Sequence, residues 1–159
     1  MLLKRLIVVV VLLAGMLIGL ARPASAVFDK VRFATDLGVA YFCFHHWVMK
    51  PYKDGEFSAG APHRTKAIIK GGVAMLFAVN RLKAADAICH STKSPSLQKL
   101  GGMIDSVTNS FSSIGSRLKS GEFHPGDATG LEGKLGMLSS GATAQGINIK
   151  DVPVSVPGL

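Results

Sequence analysis

PSLQKLGGMIDSVTNSFSSIGSRLK, residues 95–119, is the stretch that decides the fold class. Its apolar residues Leu97, Leu100, Ile104, Val107, Phe111, Ile114 and Leu118 alternate three and four positions apart. That spacing forms an a/d stripe on one side of an α-helix and does not fit the period of two that a strand requires. Ser, Thr and Asn dominate the other side, with little charge. Three heptads are short for a free coiled coil, so the stripe predicts a helix packed inside a bundle. Ser94 supplies an N-cap, and Pro95 follows at the first helical position, where its missing N–H costs nothing.

Upstream, residues 64–89 predict a second helix. Ala67 to Val79 is apolar apart from Lys70 and the pair Gly71-Gly72, which suits a helix buried in the middle of a bundle. The two glycines weaken it by about 1 kcal/mol each relative to Ala, and close approach of a neighbouring helix is the expected compensation. Residues 51–63 contain Pro51, Gly55, Gly60 and Pro62 and predict a loop. Before it, a first helix is expected from Phe28 to Lys50, stopped by Pro51. Phe33, Leu37, Ala40, Phe44 and Trp47 share its core face, and Ala34, Gly38, Tyr41, His45 and Val48 form the adjacent face.

Downstream, residues 121–126 predict a turn and Asp127 an N-cap. Leu131, Leu135, Leu138 and Ala142 then mark a short, glycine-diluted fourth helix ended by Gly146. From Ile147 to Leu159, Val alternates with Pro, Ser or Asp, which predicts an extended tail, either disordered or laid along the bundle. Lys53-Asp-Gly55-Glu-Phe57 after helix one is echoed by Lys119-Ser-Gly121-Glu-Phe123 after helix three, which suggests two αα-hairpins with similar connections. The expected fold is therefore all-α, an irregular four-helix bundle of two αα-hairpins with an extended C-terminal tail.

The N-terminus adds an address. Lys4 and Arg5 precede an unbroken apolar run from Leu6 to Ala21, and Ala24-Ser25-Ala26 offers the small residues of a signal-peptidase site. The run has 16 residues, short of the roughly 20 that span a bilayer. Residues 1–26 thus read as a cleaved signal peptide, 27–146 as a single helical domain and 147–159 as the tail. The chain is expected to be secreted, periplasmic or extracellular, with no stable membrane span after cleavage. Loss of Lys4, Arg5 and Arg22 lowers the net charge from +8 to +5. The remaining Lys and Arg are spread along the chain, which fits solubility better than a nucleic-acid patch.

Export also frames the two cysteines, Cys43 and Cys89. An even pair in an oxidising compartment predicts a disulfide. In a simple antiparallel hairpin Cys43 would face the middle of helix two, so a bridge to Cys89 requires a steep crossing or a bend at Gly71-Gly72.

No catalytic signature stands out. His90 lies four after Asp86, but neither a nucleophile nor a calcium loop accompanies the pair. The sharper possibilities concern binding. Tyr41 and His45, four apart, share a helical face above Ala34 and Gly38, and tyrosinate with imidazole is one way to hold a haem iron. His45 and His46 are candidate metal ligands, although adjacent helical residues point about 100° apart. The long loop displays Tyr52, Phe57 and Arg64, a composition common at interface hot spots. The alternative for these residues is a small satellite core beneath the loop. The function expected is a non-catalytic binding role at or outside the cell envelope, with no cofactor. A secreted haem or metal carrier using Tyr41 and His45 is the alternative.

Overall fold

A computed structural model describes residues 24–159. The leader read in residues 1–26 falls, as far as Pro23, outside the described residues. The fold is all-α, and no strand forms among the described residues. Four long helices make up the bundle: α1 (Ala24–Phe44), α2 (Arg64–Ser91), α3 (Gly101–Lys119) and α4 (Pro125–Ala144). A single helical turn, Pro95–Gln98, precedes α3. No described helix is long and apolar enough to cross a membrane.

The stripe of residues 97–118 does what its spacing requires. All seven of its side chains are buried, the most accessible being Ile114 at 6%. α2 lies between α1 and α3, which explains why its sequence is apolar nearly all round. Gly71 and Gly72 face opposite neighbours. A Cβ on Gly71 would come within 2.9 Å of the Trp47 carbonyl oxygen on one side. A Cβ on Gly72 would come within 2.6 Å of the Lys119 nitrogen and 3.0 Å of the Gly115 carbonyl oxygen on the other. The glycine pair therefore lets the central helix touch main chain on both flanks.

α1 does not stop at Pro51. It continues through a π-helical turn, His45–Met49, and a last α-turn, Lys50–Lys53. Proline inside an α-helix loses a donor, and its ring collides with the carbonyl four residues back. The wider π turn relieves that collision: the Lys50 N–H donates to the His45 carbonyl, five residues earlier. The expected stop at Lys50 is thus replaced by a local widening.

The repeated K-x-G-E-F pattern has a physical explanation in the caps. Gly55 and Gly121 adopt φ of +79° and +88°, a left-handed backbone that favours glycine. After α1, the Gly55 N–H donates to the Tyr52 carbonyl and the Glu56 N–H to Pro51. After α3, Gly121 donates to Leu118 and Glu122 to Arg117 in the same pattern. Both are Schellman motifs, which satisfy the last carbonyls of a helix. The aromatic that ends each motif folds back, and the rings of Phe57 and Phe123 meet at 4.6 Å, edge to face. The two hairpins are stapled together at one end by their own caps.

The expected N-cap at Asp127 shifts to His124, because Pro125 takes the first helical position. Asp127 instead sits in the first turn of α4 and pairs with Arg117 Nη2 at 2.8 Å. At the other end, Gly146 closes α4 at φ +73°. The tail then lies along the bundle. Ile147, Ile149 and Val156 are buried, and the Val152 N–H donates to the Gly38 carbonyl at 3.0 Å. Gly38 makes this possible, since a Cβ there would sit 2.3 Å from the Lys150 carbonyl oxygen.

The expected disulfide is corrected by the structure. Cys43 and Cys89 are both free and buried. The hairpin of α1 and α2 is plainly antiparallel: Trp47 meets Gly71, Asp36 pairs with Arg81 at 3.6 Å, and Thr92 bonds Asp29 at 2.9 Å. That register puts Cys89 opposite residues 28–32, roughly 16–22 Å along the axis from Cys43 at 1.5 Å per residue. A disulfide needs Cα atoms within about 7 Å. The steep crossing that a bridge demands is absent because the glycine pair permits straight, close packing rather than a bend.

Candidate functional site

The two histidines at 45 and 46 diverge at the π-helical turn. His45 turns toward the tail and α4: its Nδ1 lies 2.8 Å from Asp151 Oδ2, and its Nε2 lies 3.8 Å from Glu132. His46 turns to the other aromatics, stacking on Phe42 at 5.0 Å and meeting Trp47 edge-on at 5.0 Å. The structure therefore does not bring His45 and His46 together as a ligand pair. Among the described residues no group of three or more His, Cys, Asp or Glu is placed to hold a metal ion.

Tyr41 and His45 do share a face, with ring centroids 6.0 Å apart. That face is packed. The Tyr41 hydroxyl donates to the Leu135 carbonyl at 2.6 Å, and Tyr41 is only 6% exposed. Burial, and secondarily the charge of Asp151, holds its hydroxyl well above the usual phenol range. It is thus a protonated phenol committed to main chain. The room that Gly38 leaves is filled by Lys150 and Val152 of the tail.

The loop residues Tyr52, Phe57 and Arg64 lie close together, in a structural rather than a displayed arrangement. Phe57 is 4% exposed, Tyr52 packs on Phe123 at 5.1 Å, and Arg64 Nε donates to the Phe57 carbonyl at 2.9 Å. They form the satellite core beneath the loop.

What the loop does shape is a cleft beside it. A hollow of about 240 Å³ is lined by His46, Trp47, Lys50, Pro51, Asp54, Glu56, Ala67 and Lys70. A second hollow of about 220 Å³ shares Glu56, Ala67 and Lys70 and adds His63 and Lys66. The widened turn before Pro51 carries His46 and Trp47 into one wall. The first turns of α2 supply Lys66 and Lys70, four apart on one face. The Lys70 ammonium sits 5.6 Å from the centre of the Trp47 ring, within cation–π range. The indole N–H of Trp47 is buried without a partner, so the residue offers the cleft its ring and no donor.

The charge of the cleft is unevenly spent. Lys50 is hydrogen-bonded to Asp54, which raises the Lys50 pKa and neutralises that carboxylate. Glu56, Lys66 and Lys70 form no ion pair among the described residues, which leaves two ammonium groups against one carboxylate. His46 and His63 add imidazole donors. Sequence reading missed this site because its members lie in a helix end, a loop and a second helix. The usable signal was the protein's sole Trp beside a histidine, facing a helix start that carries Lys66 and Lys70. Comparison with protein-family models, with curated proteins and with solved structures gave no match.

Proposed function

We propose that the protein is an exported, non-catalytic binding protein that recognises its partner at or outside the cell envelope through the cleft beside the α1–α2 loop. The observation that carries the reading is the Lys70 ammonium over the Trp47 ring, inside a concavity with an unneutralised Lys66 beside it. Aromatic surface next to unspent positive charge supplies both apolar contact and electrostatic selection. The leader in residues 1–26, with its short positive region, apolar run and Ala-Ser-Ala site, supports export.

The export half is tested by sequencing the N-terminus of the exported protein, which is expected to begin at Val27. The recognition half is tested by capture from envelope fractions on immobilised protein, comparing the native chain with a Lys66→Gln/Lys70→Gln variant of unchanged helicity. A component held by the native chain and lost by the variant supports the reading. Equal capture by both, or no capture by either, refutes it. Tyr52, Phe57 and Arg64 are the wrong residues for this experiment, because replacing them removes the support beneath the loop.

A further inference from the structure

We infer that the cleft takes a small anion with a flat apolar body: a carboxylate or phosphate monoester carried on a ring. The inference rests on reading this cleft as the recognition site and adds the class of ligand. Three features point the same way. The hollow beside Trp47, about 240 Å³, lies just below the usual range of small-molecule pockets, which suits a single ring. Its apolar surface is planar or small, from the Trp47 ring, Pro51 and Ala67. Its unpaired positive charge is concentrated at one side, where Lys66 and Lys70 line the adjoining hollow, with the His63 imidazole beside them.

A ring entering along Trp47 takes the place of the Lys70 ammonium on the indole, and Lys70 swings off the ring to meet the oxyanion together with Lys66. Charge-assisted bonds from Lys to an oxyanion are about twice as strong as neutral ones, so the anionic group decides affinity and the ring decides placement. Glu56, at the border of the two hollows, sets the selection against a second negative charge on the body of the ligand. A neutral ring lacks a partner for the ammonium groups, and a bare oxyanion forgoes the stacking.

Trp47 is the protein's sole tryptophan, so its emission reports the cleft directly. The exported protein is titrated with phenyl phosphate and benzoate as ring anions, inorganic phosphate as the head alone, and benzyl alcohol as the neutral ring. Amide NMR shifts at Ala67 and the Trp47 indole N–H are followed in parallel. Both ring anions are expected to give saturable changes, inorganic phosphate to bind at least about tenfold more weakly, and benzyl alcohol to give none. Lys66→Gln and Lys70→Gln, which leave the helices intact, are each expected to weaken ring-anion binding by about tenfold. Phenyl phosphate and benzoate together distinguish a phosphate head from a carboxylate.

Failure of both ring anions to saturate in emission and in NMR overturns the assignment, as does equal binding of benzyl alcohol. Cleft-dependent envelope capture without ring-anion binding would remove the ligand class and leave the recognition site standing. Ring-anion binding without cleft-dependent capture would remove the envelope partner and leave the ligand class.

Discussion

The same substitution, Gly to Ala, is expected to change stability in opposite directions at different places in this bundle. α4 holds five glycines in 20 residues. Three of them, Gly130, Gly133 and Gly136, have ordinary helical backbone, are exposed and have no heavy atom within 4 Å of a would-be Cβ. Adding a methyl there costs no contact and reduces the freedom of the unfolded chain. Each Ala should therefore stabilise by about 0.5–1 kcal/mol, and the triple variant by about 1.5–3 kcal/mol. For a domain of this size that is a rise in Tm of roughly 5–12 °C. Gly72 and Gly38 share the chemistry but not the space. A Cβ at Gly72 meets main-chain atoms of α3 at 2.6 and 3.0 Å, and one at Gly38 meets the Lys150 carbonyl oxygen at 2.3 Å. Backbone cannot rotate away as a side chain can, so α2 and α3 must separate, or the tail must lift. Overpacking of this kind costs about 1–3 kcal/mol, which exceeds the gain in helix propensity. The assay is thermal unfolding by circular dichroism, with amide exchange across α4 and the tail. A triple α4 variant with unchanged or lowered Tm and unchanged α4 protection would refute the placement of that helix. A stabilising Gly72→Ala would refute the close α2–α3 approach.

Four further predictions concern the buried groups. Cys43 and Cys89 should be unreactive to a thiol reagent in the native protein and both reactive in denaturant, with no mass change indicating a bridge; burial pushes their pKa values from 9.0 up to about 11 and about 12. Because the native thiols hold their protons more tightly than the unfolded ones, stability should fall as pH rises from about 9 toward 11–12. That fall should shrink in a Cys43→Ala/Cys89→Ala variant, as read by urea unfolding at pH 8 and 10. Tyr41→Phe removes the bond to the Leu135 carbonyl, which keeps its own helical donor, so the loss should be about 0.5–1.5 kcal/mol; a loss above about 3 kcal/mol would mean the hydroxyl does more than tie α1 to α4. Ile149→Ala, at 8% exposure, should cost about 2 kcal/mol and raise exchange along the tail, whereas a neutral result would show that the tail does not pack on the bundle.

The helices were legible because their cause is local. The three-four spacing of Leu97 to Leu118 and the stripe of Phe33, Leu37, Ala40 and Phe44 record which side of each helix must leave water. One cap was legible too, since Gly146 marks a position where a left-handed backbone closes the last turn. Even the echo between residues 53–57 and 119–123 follows from that capping requirement. Pro51 was misread because a proline removes one donor but does not dictate the repair, and here a π turn restored the helix.

By itself, then, the sequence determined the elements of this protein, their buried faces and, at the level of proposal, its export. The tertiary structure alone decided what covers each face. Nothing in Gly38 states that Lys150 and Val152 of the tail will lie on it, or that His45 and His46 will serve different walls. Cys43 and Cys89 looked like a bridge by count and compartment, yet the register of two antiparallel helices keeps them apart. The cleft of Trp47, Lys66 and Lys70 is likewise a product of assembly, built from segments that are separate in the chain. Periodicity is written residue by residue in the chain, whereas proximity between distant segments depends on how all the faces are satisfied at once.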